Sequence, residues 1–202
     1  MFRISLINLL FIAVLAAHSA QAEPPPFRPA ASADEAVKRI EELGGVVRLL
    51  DADENALEVD FQFTVPEFRD DHLQYIHSLK NVAVLRLKRT AITDAGLSHV
   101  AKVSTLRRLY LEQTPVSDIG MKHLASLSEL EFLNLYGTAV SDAGLQRFKQ
   151  LPNLTMLIVA NTNATEKGIE SLKQSAPQLQ IVPDPAKERR RANVVIEVEK
   201  RL

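Results

Sequence analysis

The chain has 202 residues, a formal net charge of −1 and no cysteine. That length suggests one domain or two small ones. The balanced charge gives no basic footprint for nucleic acid, and the absence of cysteine removes disulfides, thiol nucleophiles and thiolate metal ligands together.

Residues 1–22 read as a signal peptide. Arg3 supplies the positive start, 6–17 is apolar apart from Asn8, and Ala20-Gln21-Ala22 is a small-residue cleavage site, so the mature chain begins at Glu23. The apolar run is shorter than the ~20 residues of a membrane span. The expectation is therefore a secreted or periplasmic protein with no membrane span after cleavage. Residues 23–32 hold Pro24, Pro25, Pro26 and Pro29 and read as an extended, solvated tether.

Residues 33–56 read as an N-terminal cap. Ser32 or Asp34 can start a helix whose face is Ala36, Val37, Ile40 and Leu43, and Gly44-Gly45 stops it. Residues 46–50 and 57–63 look like strands joined through the polar stretch 51–55. A stack of repeats exposes its core at its ends, and such a unit would cover one of them.

Residues 57–182 form the repeat domain. Within it, 79–174 is four tandem copies of one 24-residue unit. The step carries Leu85 to Leu109, Leu133 and Leu157, Thr90 to Thr114, Thr138 and Thr162, and Gly96 to Gly120, Gly144 and Gly168. A degenerate earlier copy places Phe61, Phe63, Phe68, Asp70, Leu73 and Ile76 in the same register. In the first full unit Leu79, Val82, Leu85, Leu87, Ile92, Leu97 and Val100 are the core candidates. Leu85-x-Leu87 has the period of a strand, and Leu97 with Val100 has the spacing of a helix face. Thr93, Ser117, Ser141 and Thr165 are placed as N-caps. Asp94, Asp118, Asp142 and Glu166 follow them, at the positive ends of the helix dipoles.

Each unit is thus strand, turn, helix. Strands pack ~4.8 Å apart and helices roughly 8–10 Å apart, so the stack must curve with its sheet inside. The predicted fold is α/β: a right-handed solenoid with a concave parallel sheet and convex helices. Residues 177–182 continue the last unit, shifted by one residue. Residues 183–202 are a C-terminal tail or edge-strand cap, in which 194–198 alternates like an edge strand.

Strand residues between the core leucines face out of the arc in three columns: Asp60, Val84, Arg108, Phe132, Met156; Gln62, Arg86, Tyr110, Asn134, Ile158; and Thr64, Lys88, Glu112, Tyr136, Ala160. Arg86, Lys88 and Arg108 make a basic patch. Tyr110, Phe132, Tyr136, Met156 and Ile158 make an apolar one beside it, a composition that marks binding surfaces. These eight residues are the candidate partner-binding set, for a protein or peptide. His72, His77, His99 and His123 fall on the helical side. The face carries only Asp60 and Glu112 as carboxylates, with Glu112 beside Lys88 for an ion pair. No nucleophile–base pair, phosphate loop or metal cluster is visible, so no catalysis, cofactor or metal is expected.

The recurring pattern L-x-x-L-x-L-x-x-T-x-[IV]-[ST]-D-x-G-[LM] resembles the leucine-rich repeat family. It is most similar to the variant of bacterial secreted proteins, notably of planctomycetes, and to the repeats of F-box substrate receptors. The resemblance covers about 57–182. Thr90, Thr114, Thr138 and Thr162 stand where the family has a buried Asn or Cys, and a hydroxyl offers the turn fewer hydrogen bonds than a carboxamide. The resemblance implies a non-catalytic binding scaffold. The alternatives are a structural envelope module without a discrete ligand and an F-box-like receptor, the latter disfavoured by the export signal.

Overall fold

The computed structural model describes residues 27–51, 54–66 and 68–183. The predicted signal peptide, the first part of the tether and the 194–198 strand lie outside the described residues. No helix among those described is long and apolar enough to cross a membrane.

Helix α1 (Ala33–Glu42) is capped by Ser32, whose hydroxyl accepts the Glu35 N–H at 3.1 Å, and buries Ala36 and Ile40. Gly44, at φ +80°, turns the chain out of it into strand β1 (Val46–Asp51), which pairs antiparallel with β2 (Ala56–Asp60). After β2 comes a 3₁₀ segment (Asp70–Ser78). Four strand–helix pairs follow: β3 (Val82–Arg86) and α2 (Asp94–Val100), β4 (Arg108–Tyr110) and α3 (Asp118–Leu124), β5 (Phe132–Asn134) and α4 (Asp142–Leu145), β6 (Met156–Ile158) and α5 (Glu166–Ser175). Strand β7 (Gln180–Val182) ends the described chain, and the seven strands form one sheet in chain order. From β2 onward every pair is parallel, with helices stacked along one side, so the expected α/β solenoid is present.

The seven core candidates of the first full unit are all buried. Leu85, Leu109, Leu133 and Leu157 face one another on adjacent strands and are fully enclosed. After each strand the chain passes through a left-handed residue, at Arg89, Gln113, Gly137 and Asn161 (φ between 55° and 70°). The next residue is the buried threonine, whose hydroxyl donates to the carbonyl three residues back: Thr90 to Leu87 and Thr114 to Leu111 at 2.7 Å, Thr138 to Leu135 at 2.8 Å. One such bond satisfies the hydroxyl's own donor, which is what a buried polar group requires.

The predicted N-caps accept as expected: Thr93 from Ala95, Ser117 from Ile119, Ser141 from Ala143 and Thr165 from Gly168. The aspartates do more than complement a dipole. Asp94 accepts both the backbone N–H (2.7 Å) and the hydroxyl (2.6 Å) of Ser117 in the next repeat. Asp70 grips Thr93, Asp118 grips Ser141 and Asp142 grips Thr165 in the same way. This carboxylate spine explains the glycine column. A Cβ at Gly96 or Gly120 would sit 2.4 Å from the gripping Asp Oδ1, and one at Gly144 would sit 2.3 Å away.

Three expectations need correction. The earliest copy is not in the 24-residue register throughout: Val59, not Phe61, faces Leu85, 26 residues on. Phe61 takes the place of Leu87, donating its N–H to Arg86 O as Leu87 donates to Tyr110 O. Two extra residues between Phe61 and Asp70 restore the step, and Phe63 is expelled to the surface at 77 % exposure. Second, β7 keeps the 24-residue step, with Leu157 opposite Ile181; the one-residue shift is confined to Leu179 in the preceding loop. Third, the tether is not solvated throughout: Phe27 and Ala30 pack partly buried on the core, with Phe27 5.1 Å from the Tyr75 ring.

Candidate binding surface on the sheet

The corrected register redraws the outer face of the sheet. One column runs Glu58, Val84, Arg108, Phe132, Met156, Gln180, and the next Asp60, Arg86, Tyr110, Asn134, Ile158, Val182. Lys88, Glu112, Tyr136 and Ala160 continue the ladder beyond the strands: Arg89 N–H donates to Glu112 O, Gln113 to Tyr136 O and Gly137 to Ala160 O. Gln62 and Thr64, placed on this face from the sequence, lie in the loop after β2. Glu58 takes their place, and sequence reasoning missed it because the 24-residue step points two residues too far along.

Glu58 changes the basic patch. It is 7 % exposed and ion-paired on both sides, with Arg86 Nε on β3 and with Arg48 at 3.4 Å on β1. Arg86 is therefore held within the protein, and its guanidinium lies 4.2 Å from the centre of the Tyr110 ring. Arg108 lies 5.7 Å from the Phe132 ring centre, and Tyr110 and Phe132 are 4.9 Å apart at 39°. Four of the eight predicted residues thus form one cation–aromatic strip across β3, β4 and β5. Among the described residues Arg108 and Lys88 have no carboxylate within ion-pair distance.

The apolar residues are less open than expected. Phe132 pairs across the ladder with Met156, and both are half-buried; Ile158 is half-buried next to Asn134; Tyr136 is exposed at 41 %. Polar groups separate Tyr136 from the strip. Asn134 Nδ2 donates to Glu112 Oε1 at 2.8 Å, and Asn134 Oδ1 accepts the Tyr136 N–H at 3.0 Å. The expected Glu112–Lys88 ion pair does not form; the half-buried Glu112 turns to Asn134 instead, and its Oε2 is buried without a hydrogen-bond partner. Burial pushes this carboxyl above the usual carboxylate range, against the pull of its own N–H, Lys88 and Arg86. Lys88, Arg89, Glu112, Asn134, Tyr136 and Ile158 line a hollow of ≈ 350 Å³ at the carboxyl ends of the strands.

The histidines sit on the far side, as expected. His72 and His77 lie on the 3₁₀ segment, His99 on α2 and His123 on α3. The His77 and His99 ring centres are 5.8 Å apart. No group of three or more His, Cys, Asp or Glu able to hold a metal occurs among the described residues.

No family model and no curated protein matches the chain. Among solved structures it is similar to an internalin C2 from Listeria monocytogenes, at 30% identity over 54% of this chain and 44% of that one, with a TM-score of 0.45. It is similar to the LRR ectodomain of the receptor kinase SOBIR1 from Arabidopsis thaliana, at 19% identity over 79% of this chain and 94% of that one, with a TM-score of 0.42. The PEPR1–AtPEP1 structure matches at 18% identity over 66% of this chain and 18% of that one, with a TM-score of 0.40. The chain spans under half the length of the internalin and under a fifth of PEPR1.

Proposed function

We propose that the chain is a leucine-rich-repeat solenoid that serves as an exported, non-catalytic scaffold and binds a protein or peptide on the open face of its sheet. The observation that supports this most is a contrast between two sets of columns. The inward column repeats itself as Leu85, Leu109, Leu133, Leu157, because stacking demands it. The outward columns at the same strands read Val84, Arg108, Phe132, Met156 and Arg86, Tyr110, Asn134, Ile158. Arg86 neutralises the buried Glu58, but the stacking of the leucines does not require the rings or the Arg108 guanidinium there. Tyr and Arg are enriched among the side chains that anchor interfaces, and Tyr does so at low cost in conformational entropy.

Lys88 and Arg108 favour a partner with acidic groups at the β3–β4 end, and Phe132, Met156 and Ile158 favour apolar groups toward β6. The test is a Tyr110→Ala, Tyr136→Ala double variant. It should lose capture of the partner from envelope extract while keeping the parent's melting temperature. A structural module without a discrete ligand predicts no change in capture, and that result would remove the proposal.

A further inference from the structure

The hollow beside the aromatic strip holds Glu112, a carboxylate with no ion pair among the described residues. The equivalent positions in neighbouring repeats are Lys88, Tyr136 and Ala160, so the fold does not ask for an acid at 112. Glu112 is nevertheless oriented with care. Its Oε1 takes the Asn134 amide, and that amide is fixed in turn because its oxygen accepts the Tyr136 N–H. Oε2 is left with no donor and no access to solvent. A buried acceptor without a partner costs stability, and a group kept at such cost is explained when its donor arrives with a ligand.

The surroundings select the donor. Lys88 and Arg89 line the same hollow, and Arg89 Nε is already given to Gln113 Oε1 at 2.7 Å. A cationic guest would meet two cations and one carboxylate. An anionic guest would be drawn by Lys88 but brings no donor for Glu112 Oε2. A neutral group carrying a donor and an acceptor together satisfies both sides. We propose that this hollow is a specificity pocket for a primary carboxamide, the side chain of an Asn or Gln in a peptide lying across the sheet. The guest N–H₂ donates to Glu112 Oε2, the guest carbonyl accepts from the Lys88 ammonium, and the Tyr136 ring lies alongside. Docking includes a turn of the Glu112 carboxyl toward the hollow, with Oε1 kept on Asn134. This rests on the reading of the face as a peptide-binding surface and adds which side chain it selects.

Binding is also linked to protonation. A donor on Oε2 favours the carboxylate form, so the peptide binds more tightly as pH rises through the raised Glu112 pKa. The charged or titratable groups around it are Lys88 and Arg86 from the β3 side, Arg89 at the following turn, and Tyr136 after β5. Comparison with Glu112→Gln isolates the contribution of Glu112 to that dependence.

The experiment is selection of a randomised decapeptide display library on the full chain. The expected pool is retained by the parent, lost by the Tyr110→Ala, Phe132→Ala variant whose changes lie outside the hollow, and enriched in Asn or Gln at one position. Resynthesised winners should bind about tenfold more weakly to Glu112→Gln, the loss expected for one charge-assisted hydrogen bond, and with a flattened pH dependence. A Glu112→Gln variant that melts no lower than the parent shows that the loss is not unfolding. A pool that depends on Tyr110 and Phe132 but prefers Lys or Arg, Asp or Glu, or nothing at that position overturns the carboxamide pocket alone. A pool indifferent to Tyr110 and Phe132, or no pool at all, overturns the peptide-face reading and this inference with it.

Discussion

Replacing Asp118 by alanine removes the two hydrogen bonds that lock one repeat onto the next, from the Ser141 N–H at 2.7 Å and the Ser141 hydroxyl at 2.5 Å. A bond to a charged acceptor contributes roughly 1.5–3 kcal/mol. The hydroxyl can find water once released, and the backbone N–H, in a partly buried turn, does so less well. The expected loss is therefore about 2–4 kcal/mol, a large share of the ~5–15 kcal/mol that holds a domain folded. Gly144→Ala attacks the same contact from the other side. Its Cβ would stand 2.3 Å from Asp118 Oδ1 and 2.8 Å from Val140 Cγ1, so the carboxylate must leave its seat. The expected cost is about 1–3 kcal/mol, after an offset of up to ~1 kcal/mol for the better helix former. The assay is a double-mutant cycle by urea denaturation, with the exposed Glu131→Ala as the control at under about 0.5 kcal/mol. Once Asp118 is gone, Gly144→Ala has lost its main clash, so the double variant should be at least ~1 kcal/mol more stable than the two losses added. Additivity within about 0.3 kcal/mol, or an Asp118→Ala indistinguishable from Glu131→Ala, would refute the carboxylate spine.

The leucine column offers a simpler contrast: Leu109→Ala and Leu133→Ala, both fully buried, should each cost about 2–5 kcal/mol. Arg147→Ala on the exposed helical side should cost under about 0.5 kcal/mol in the same melts. Glu112 makes a pH prediction whose sign follows from its raised folded pKa. A carboxyl with a raised pKa favours folding while protonated, so that contribution is present below its unfolded value near ~4.3 and is lost as pH rises through the folded value. Glu112→Gln should therefore be more stable than the parent at pH 7 and equal to it near pH 4, read by thermal melts across that range. An equal gap at both pH values would remove the assignment.

The repeating half of this protein was legible because its physics is periodic. A fixed step places Leu109 over Leu85, and the same step places Ser117 over Thr93, so strand register, caps and helix faces follow together. What escaped were features made by contact between repeats. Glycine at 96, 120, 144 and 168 looked like a motif letter until Asp70, Asp94, Asp118 and Asp142 were seen to occupy the space a Cβ would take. Glu58 escaped because the earliest copy carries two extra residues after Phe61, and periodicity cannot show where an insertion sits. The face residues were placed correctly from Val84 onward, yet their pairing was not readable. Lys88 stands opposite Glu112 by register, but the Asn134 amide reaches the carboxylate instead. Arg86 looked free until the correct register set Glu58 beside it.

The claim that the open sheet face meets a partner is tested most directly by site-specific photo-crosslinking in the source cells. A benzophenone side chain would be placed in turn at Tyr136, exposed in the hollow of the sheet face, and at Arg147, exposed on the helical side. The account predicts a discrete crosslinked species from position 136 that is lost when Tyr110 and Phe132 are also alanine, and none from position 147. Equal crosslinking from both positions, or a discrete species from 147 alone, would contradict it.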